Sequence, residues 1–113
     1  MTPADISAAP LAVTRPVLFK RITGVVASDY GITTEDLASP SRARNLLEPR
    51  RVAMTIARTL TGWSYARIGK RLNRDHTSVI AGITAVTQRA EADADFASRI
   101  ARLSDQARNS AHG

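Results

Sequence analysis

Residues 64–86 read Ser64-Tyr65-Ala66-Arg67-Ile68-Gly69-Lys70-Arg71-Leu72-Asn73-Arg74-Asp75-His76-Thr77-Ser78-Val79-Ile80-Ala81-Gly82-Ile83-Thr84-Ala85-Val86, and this stretch decides the fold. Ser64 is a good N-cap for a short helix whose inward residues are Ile68 and Leu72. The polar pair Asn73-Arg74 makes a turn, and Asp75 caps a second helix with Val79, Ile80, Ile83 and Val86 facing inward. Two helices joined by about three or four residues form a helix-turn-helix, in which the second helix offers its N-terminal side chains to a DNA major groove. The first turn, Asp75-His76-Thr77-Ser78, suits that task. His76 can donate or accept a hydrogen bond, Thr77 carries a hydroxyl and a methyl, and free N–H groups at a helix start favour a phosphate. The plainer alternative is that Asp75, Thr77 and Ser78 only cap a helix and His76 is an ordinary surface histidine.

Charge around this unit adds to the first reading and leaves the second open, since helix faces can also carry arginine for solubility. The chain of 113 residues has 16 Lys and Arg against 10 Asp and Glu, a net +6 in which arginine dominates. Between positions 42 and 74 stand nine basic residues, Arg42, Arg44, Arg50, Arg51, Arg58, Arg67, Lys70, Arg71 and Arg74, and one acid, Glu48, for a net +8. Residues 1–41 and 75–113 each carry −1. A contiguous basic block between neutral flanks is the footprint of a polyanion site, and the planar fork of arginine suits phosphate.

Further out, apolar positions Val17, Leu18, Ile22, Val25 and Val26 recur at helical spacing and predict a helix over about 16–30, with Thr14 as N-cap and Gly31 as stop. Thr33 and Asp36 have capping-box-like spacing and open a short turn through Leu37 and Ala38. Residues 39–45, Ser-Pro-Ser-Arg-Ala-Arg-Asn, lack an apolar period and read as an exposed basic loop. Pro49 fits a first helical turn, after which Val52, Ala53, Ile56, Ala57 and Leu60 line one face until Gly62. Gln88 to Ala94 closes the recognition helix, and a last helix carries Phe96, Ile100 and Leu103. No alternating β-branched run of strand length occurs, so the expected class is all-α, a compact helical bundle around the helix-turn-helix. The expected organisation is a flexible arm over 1–14, one domain over 15–108 and a tail over 109–113.

Several functions fall away. With no cysteine there is no disulfide, thiolate chemistry or Cys-based zinc site, and His76 and His112 have no carboxylates at ligand spacing, so neither metal nor cofactor is expected. No nucleophile-base or paired-carboxylate arrangement marks an enzyme. The longest run without Asp, Glu, Lys or Arg, His76 to Gln88, falls short of the about 20 apolar residues of a membrane span. Residues 1–14 have no basic lead ahead of an apolar core and do not read as a secretory signal, which makes the cytoplasm, with association to the nucleoid, the expected compartment.

Arg74-Asp75-His76-Thr77-Ser78-Val79 resembles the Arg-Asp-His-Thr-Thr-Val signature of the C-terminal DNA-binding domain, domain IV, of the bacterial replication initiator DnaA. The likeness extends backwards at consistent spacing through Tyr30-Gly31-Ile32, Asp36-Leu37, Ser41-Arg42-Ala43-Arg44, Pro49-Arg50-Arg51-Val52-Ala53-Met54 and Ile68-Gly69, and covers about residues 16–108. It implies a Trp-repressor-like helix-turn-helix that reads a box of consensus TTATNCACA in double-stranded DNA. On that resemblance Asp75, His76 and Thr77 match base-reading positions in the major groove, with Ser78 where a second Thr is usual. Arg42 matches the loop arginine of the minor groove, and Arg51, which stands where Gln is common, joins the base-reading set. Arg44, Arg50 and Arg58 match basic positions near the phosphates, and Arg67, Lys70 and Arg74 of the same block complete that set.

The sequence also departs from the family's pattern. Glu48 stands before the proline where a basic residue is frequent, which is expected to weaken the local field, and Ala66 replaces a common Pro. Ser78 lacks the methyl of threonine, and the turn before Arg74 is one residue shorter than in some relatives. DnaA carries an ATPase domain ahead of this module. Here Gly69-Lys70-Arg71 fails as a phosphate loop, because position 64 is Ser and Arg71 replaces the magnesium-binding hydroxyl residue, so ATP-driven origin melting is not expected of these residues alone. The leading expectation is a sequence-specific binder of DnaA-box-like DNA that regulates transcription or replication initiation and competes with or contacts the full-length initiator; a monomer is favoured, and the sequence leaves the oligomeric state open. The alternative is a protein-interaction or acidic-membrane-surface module built on the first helix beside Lys20 and Arg21, without stable membrane insertion.

Overall fold

The Thr14 hydroxyl accepts from the Val17 N–H and so caps α1 (Arg15–Tyr30), which Gly31 ends at φ 69°. The computed structural model describes residues 13–109; the arm and tail expectations for 1–12 and 110–113, and His112, lie outside the described residues. Thr33 and Asp36 exchange hydrogen bonds of 3.0 and 3.1 Å in a capping box that opens α2 (Thr34–Ala38). The chain then crosses the loop, tightens into a 3-10 turn at Arg44–Leu46 and enters α3 (Leu47–Thr61), with Pro49 in the first turn. Ser64 caps α4 (Tyr65–Leu72), Asp75 caps α5 (His76–Ala92), and the Asp93 carboxylate accepts from Phe96 N–H at the start of α6 (Ala94–Asn109). Among the described residues there is no strand, and no helix is long and apolar enough to cross a membrane.

Helix α3 forms the centre, packed on α1 and on α5, because its apolar residues cover more than one stripe. Val52, Ala53, Ile56 and Ala57 are fully enclosed against Ile22 and Val26 of α1, Leu37, Ile68, Leu72, Val79 and Leu103. Each enclosed leucine or isoleucine contributes about 1.5–3 kcal/mol relative to exposure. Phe19 and Trp63, absent from the apolar periods read in the sequence, stack at 5.4 Å in the same core. The reading of Ile80 as inward is corrected: it is 40% exposed. Val79, Gly82 and Val86 share the buried stripe at helical spacing, and the position after Val79 is turned about 100° away.

Gly82 has a packing reason. A Cβ there would lie 3.0 Å from Arg51 Cγ and 3.1 Å from Met54 Sδ, so its absence lets α3 approach α5.

Candidate nucleic-acid interface

The turn between α4 and α5 is set by close backbone approach. A Cβ at Gly69 would sit 2.3 Å from the Arg74 carbonyl oxygen, so only glycine lets the chain fold back there. Asn73 adopts the left-handed conformation at φ 57°, and Arg74 N–H donates to the Gly69 carbonyl at 2.8 Å. Asn tolerates this conformation better than most residues, which is why an Asn following a short helix works as a C-cap.

The turn delivers His76, Thr77 and Ser78 to the surface, all exposed. Asp75 Oδ1 accepts from the Thr77 hydroxyl at 2.5 Å and from the Ser78 N–H at 2.9 Å, and these bonds hold its carboxyl below the usual range. This corrects one sequence expectation: the helix start is not a set of free N–H groups awaiting a phosphate, because Asp75 occupies part of it. The Thr77 hydroxyl proton is thus already directed to Asp75.

Beside the turn runs the basic loop, with Pro40 to Asn45 exposed and Arg42 and Arg44 among them. A groove of about 550 Å³ separates loop from helix, lined by Arg42, Arg44, Asn73, Arg74 and Ser78. Arg50, placed among the phosphate contacts by sequence likeness, is turned inward and only 5% exposed. Its Nε donates to the Leu37 carbonyl at 3.0 Å, Nη1 to Ser41 at 2.6 Å, and Nη2 to Asp36 and Ser39 at 2.8 Å each. Burial, and then the neighbouring Arg74 charge, lower its pKa, yet a guanidinium stays protonated. Arg74 likewise faces carbonyls, with Nη2 on Ser39 at 2.9 Å and Nη1 on Leu72 and Asn73.

The remaining basic residues are distributed around this centre. Arg58 donates to the Trp63 carbonyl at 2.7 Å and stacks over Tyr65 at 4.4 Å. Arg67 and Arg71, one helical turn apart on α4, lie over the Trp63 ring at 4.1 and 5.1 Å, while Lys70 is exposed between them. Arg51 is half-buried, its stem against Gly82 of α5. Among the described residues, none of the nine basic side chains between 42 and 74 forms an ion pair: the pairs present involve Arg89, Arg99, Arg102 and Arg108.

Glu48 does not weaken the field as its position in the sequence suggested. Its carboxylate accepts from Arg89 at 2.5 Å and from the Tyr30 hydroxyl at 2.5 Å, with Arg99 at 3.8 Å, so its charge is balanced by residues outside the basic block. Sequence reasoning missed Asn73 and Ser39 as parts of the site. Asn73 could have been found from its place after Leu72, but every main-chain carbonyl is an acceptor, and no local signal tells that Ser39 is the one reached by arginines 11 and 35 positions away.

Residues 19–86 match the family described as the bacterial dnaA protein helix-turn-helix. Chromosomal replication initiator proteins DnaA are similar over most of the chain: that of Caldanaerobacter subterraneus subsp. tengcongensis is 36% identical over 80% of this chain and 20% of its own length. That of Desulfotalea psychrophila is 33% identical over 75% and 18%, and that of Francisella tularensis subsp. novicida 41% over 66% and 15%. A crystal structure of a DNA replication initiation factor superposes with a TM-score of 0.71 at 31% identity, covering 82% of this chain and 28% of that one. The chain thus spans about a fifth or less of the length of these curated relatives.

Proposed function

This chain belongs to the bacterial DnaA helix-turn-helix family, and from that premise we propose that it binds double-stranded DNA sequence-specifically at DnaA-box-like sites and regulates transcription or replication initiation by occupying them. The observation that carries the reading is the exposed first turn of α5 facing a basic loop across one groove, within a block of nine cations that form no ion pair among the described residues. Helix α5 enters the major groove, where His76 and Thr77 read base edges, Asp75 fixes the turn and can accept from a base amine, and Ser78 adds a hydroxyl. Arg42 enters the adjacent minor groove, attracted by the negative potential of a narrow A·T-rich segment. Arg51, its stem on α5, lies beside the reading helix, and Arg44, Arg58, Arg67 and Lys70 face phosphates and set register. Binding needs neither nucleotide nor metal, and one copy covers one box.

Selection of bound duplexes from a random pool by the purified chain, without nucleotide, tests this. A box-like consensus is expected, and His76→Ala should weaken binding by roughly 1–3 kcal/mol while relaxing preference at one or two base pairs. Equal binding of selected and scrambled duplexes at physiological salt would remove the specific reading. Occupancy mapping in cells then distinguishes the roles, since enrichment at promoters marks a transcription regulator and enrichment at the origin a competitor of the initiator.

A further inference from the structure

The main chain between α2 and the basic loop is gripped by two different elements. Carbonyls of Asp36, Leu37, Ser39 and Ser41 accept from Arg50 of α3. The Ala38 carbonyl accepts from Asn73 Nδ2 at 2.8 Å, and the Ser39 carbonyl accepts a second time, from Arg74 Nη2 at 2.9 Å. From Asp36 to Ser41 only the Pro40 carbonyl is outside this set. One oxygen, on Ser39, is therefore shared between the core helix and the helix-turn-helix turn.

We propose that Arg50, Asn73 and Arg74 are positioning residues that lock the basic loop to the recognition helix, so that Arg42 and His76 are presented at one fixed offset. The proposal rests on the DNA-binding reading above and adds how the two grooves are read in a single register. Charge-assisted bonds to carbonyls are short and strong, and a planar fork holding several at once resists sliding in any direction. Asn73 and Arg74 are consecutive and immediately precede Asp75, so a displacement of α5 is transmitted directly to Ala38 and Ser39. At its other end the loop is anchored by the buried Leu46. Because the loop is ordered in folding, the entropic cost of fixing it does not recur on binding, and the price of that preorganisation is intolerance of altered spacing.

The absence of cysteine makes a direct test available. Nitroxide labels on Ala43→Cys in the loop and Thr84→Cys on α5, both exposed positions, report the offset without DNA. In the otherwise wild-type chain the label distance should be narrowly distributed. Adding Asn73→Gly, which keeps the left-handed turn, together with Arg74→Lys should broaden it while the helical circular dichroism is unchanged. In parallel, Arg42→Ala is expected to weaken binding of the selected duplex about tenfold in wild type but less than about threefold in the Asn73→Gly, Arg74→Lys background, since an unpositioned arginine contributes little. A purely stabilising role would leave that ratio alone. Either an unchanged distance distribution or an unchanged Arg42→Ala effect overturns the proposal. Failure of the DNA-binding reading shows differently, as wild-type protein that does not distinguish selected from scrambled duplexes, and it overturns the proposal together with that reading.

Discussion

In the seam joining α1, α3, α5 and α6, Arg99 and Arg102 meet the Asp29 carboxylate at 2.7 and 3.1 Å, and Glu48 lies between Tyr30 and Arg89. In the basic block the same side-chain type meets main-chain carbonyls, aromatic faces or solvent, and among the described residues forms no ion pair. The seam cancels its charge and ties helices together, whereas the block keeps its charge and remains available to a polyanion. A carbonyl can orient a guanidinium without neutralising it. That is the physical difference between an arginine used as a strut and one used to build a field.

The strongest way to break this comparison is to remove one guanidinium from each region. Arg50→Met strands the carbonyls of a buried fork and should lower stability by about 3 kcal/mol or more, whereas Arg102→Met, at a half-exposed ion pair, should cost less than about 1 kcal/mol. Urea denaturation of both variants decides, and equal losses would show that carbonyl-bound and acid-bound arginines are energetically alike here.

A second test uses pH, to which the seam alone should respond through ion pairs. Burial by itself would raise the Asp29 and Glu48 carboxyls, but hydrogen bonds from Arg102 and Arg99 to Asp29, and from Tyr30 and Arg89 to Glu48, outweigh it and leave both lowered. Groups lowered in the folded state contribute stability that is present above their unfolded values of about 4 and is lost as pH falls through the folded ones. Tyr30 is shifted the other way, raised by burial and then by Glu48, so its contribution holds below about pH 10 and declines as pH rises further. Glu48→Gln should therefore flatten both the acid and the alkaline limb of a stability profile. Asp75, also lowered, caps α5 outside the seam, and Asp75→Asn, which keeps a good cap, separates its share of the acid limb. Limbs unaltered in Glu48→Gln would assign the pH dependence elsewhere.

The smallest effect sharpens the contrast in DNA binding. Arg44→Ala and Lys70→Ala should each flatten the log-log salt dependence of affinity by about 0.9 if each removes one phosphate contact, and Arg102→Ala should leave the slope unchanged. A flattened slope in Arg102→Ala would extend the DNA-facing surface to the seam.

Much of the fold was legible from local chemistry. Thr14, Thr33, Ser64 and Asp75 are N-caps as their side chains suggest, and Gly31 and Gly62 end helices at positive φ. The order of elements followed, because capping and helical periodicity act within a few residues. Ile80 was misread since four apolar residues in α5 were more than its buried stripe could hold, and Gly82 carried no hydrophobic signal while holding an inward position. Phe19 and Trp63 stack through contacts 44 positions apart, which no window along the chain includes.

By itself the sequence determined an all-α chain with a helix-turn-helix, a central basic block, and His76 and Thr77 at the start of the second helix. Those features depend on residue type, spacing and local capping. Only the tertiary structure decided how each charge is used: Glu48 in the seam with Arg89, Arg50 inward on four carbonyls, Arg67 over Trp63, and Arg42 exposed beside the groove. Formal charge is a property of composition, but whether a charge is neutralised, turned inward or left to act on a partner depends on which distant main-chain and side-chain groups the fold brings within about 3 Å of it.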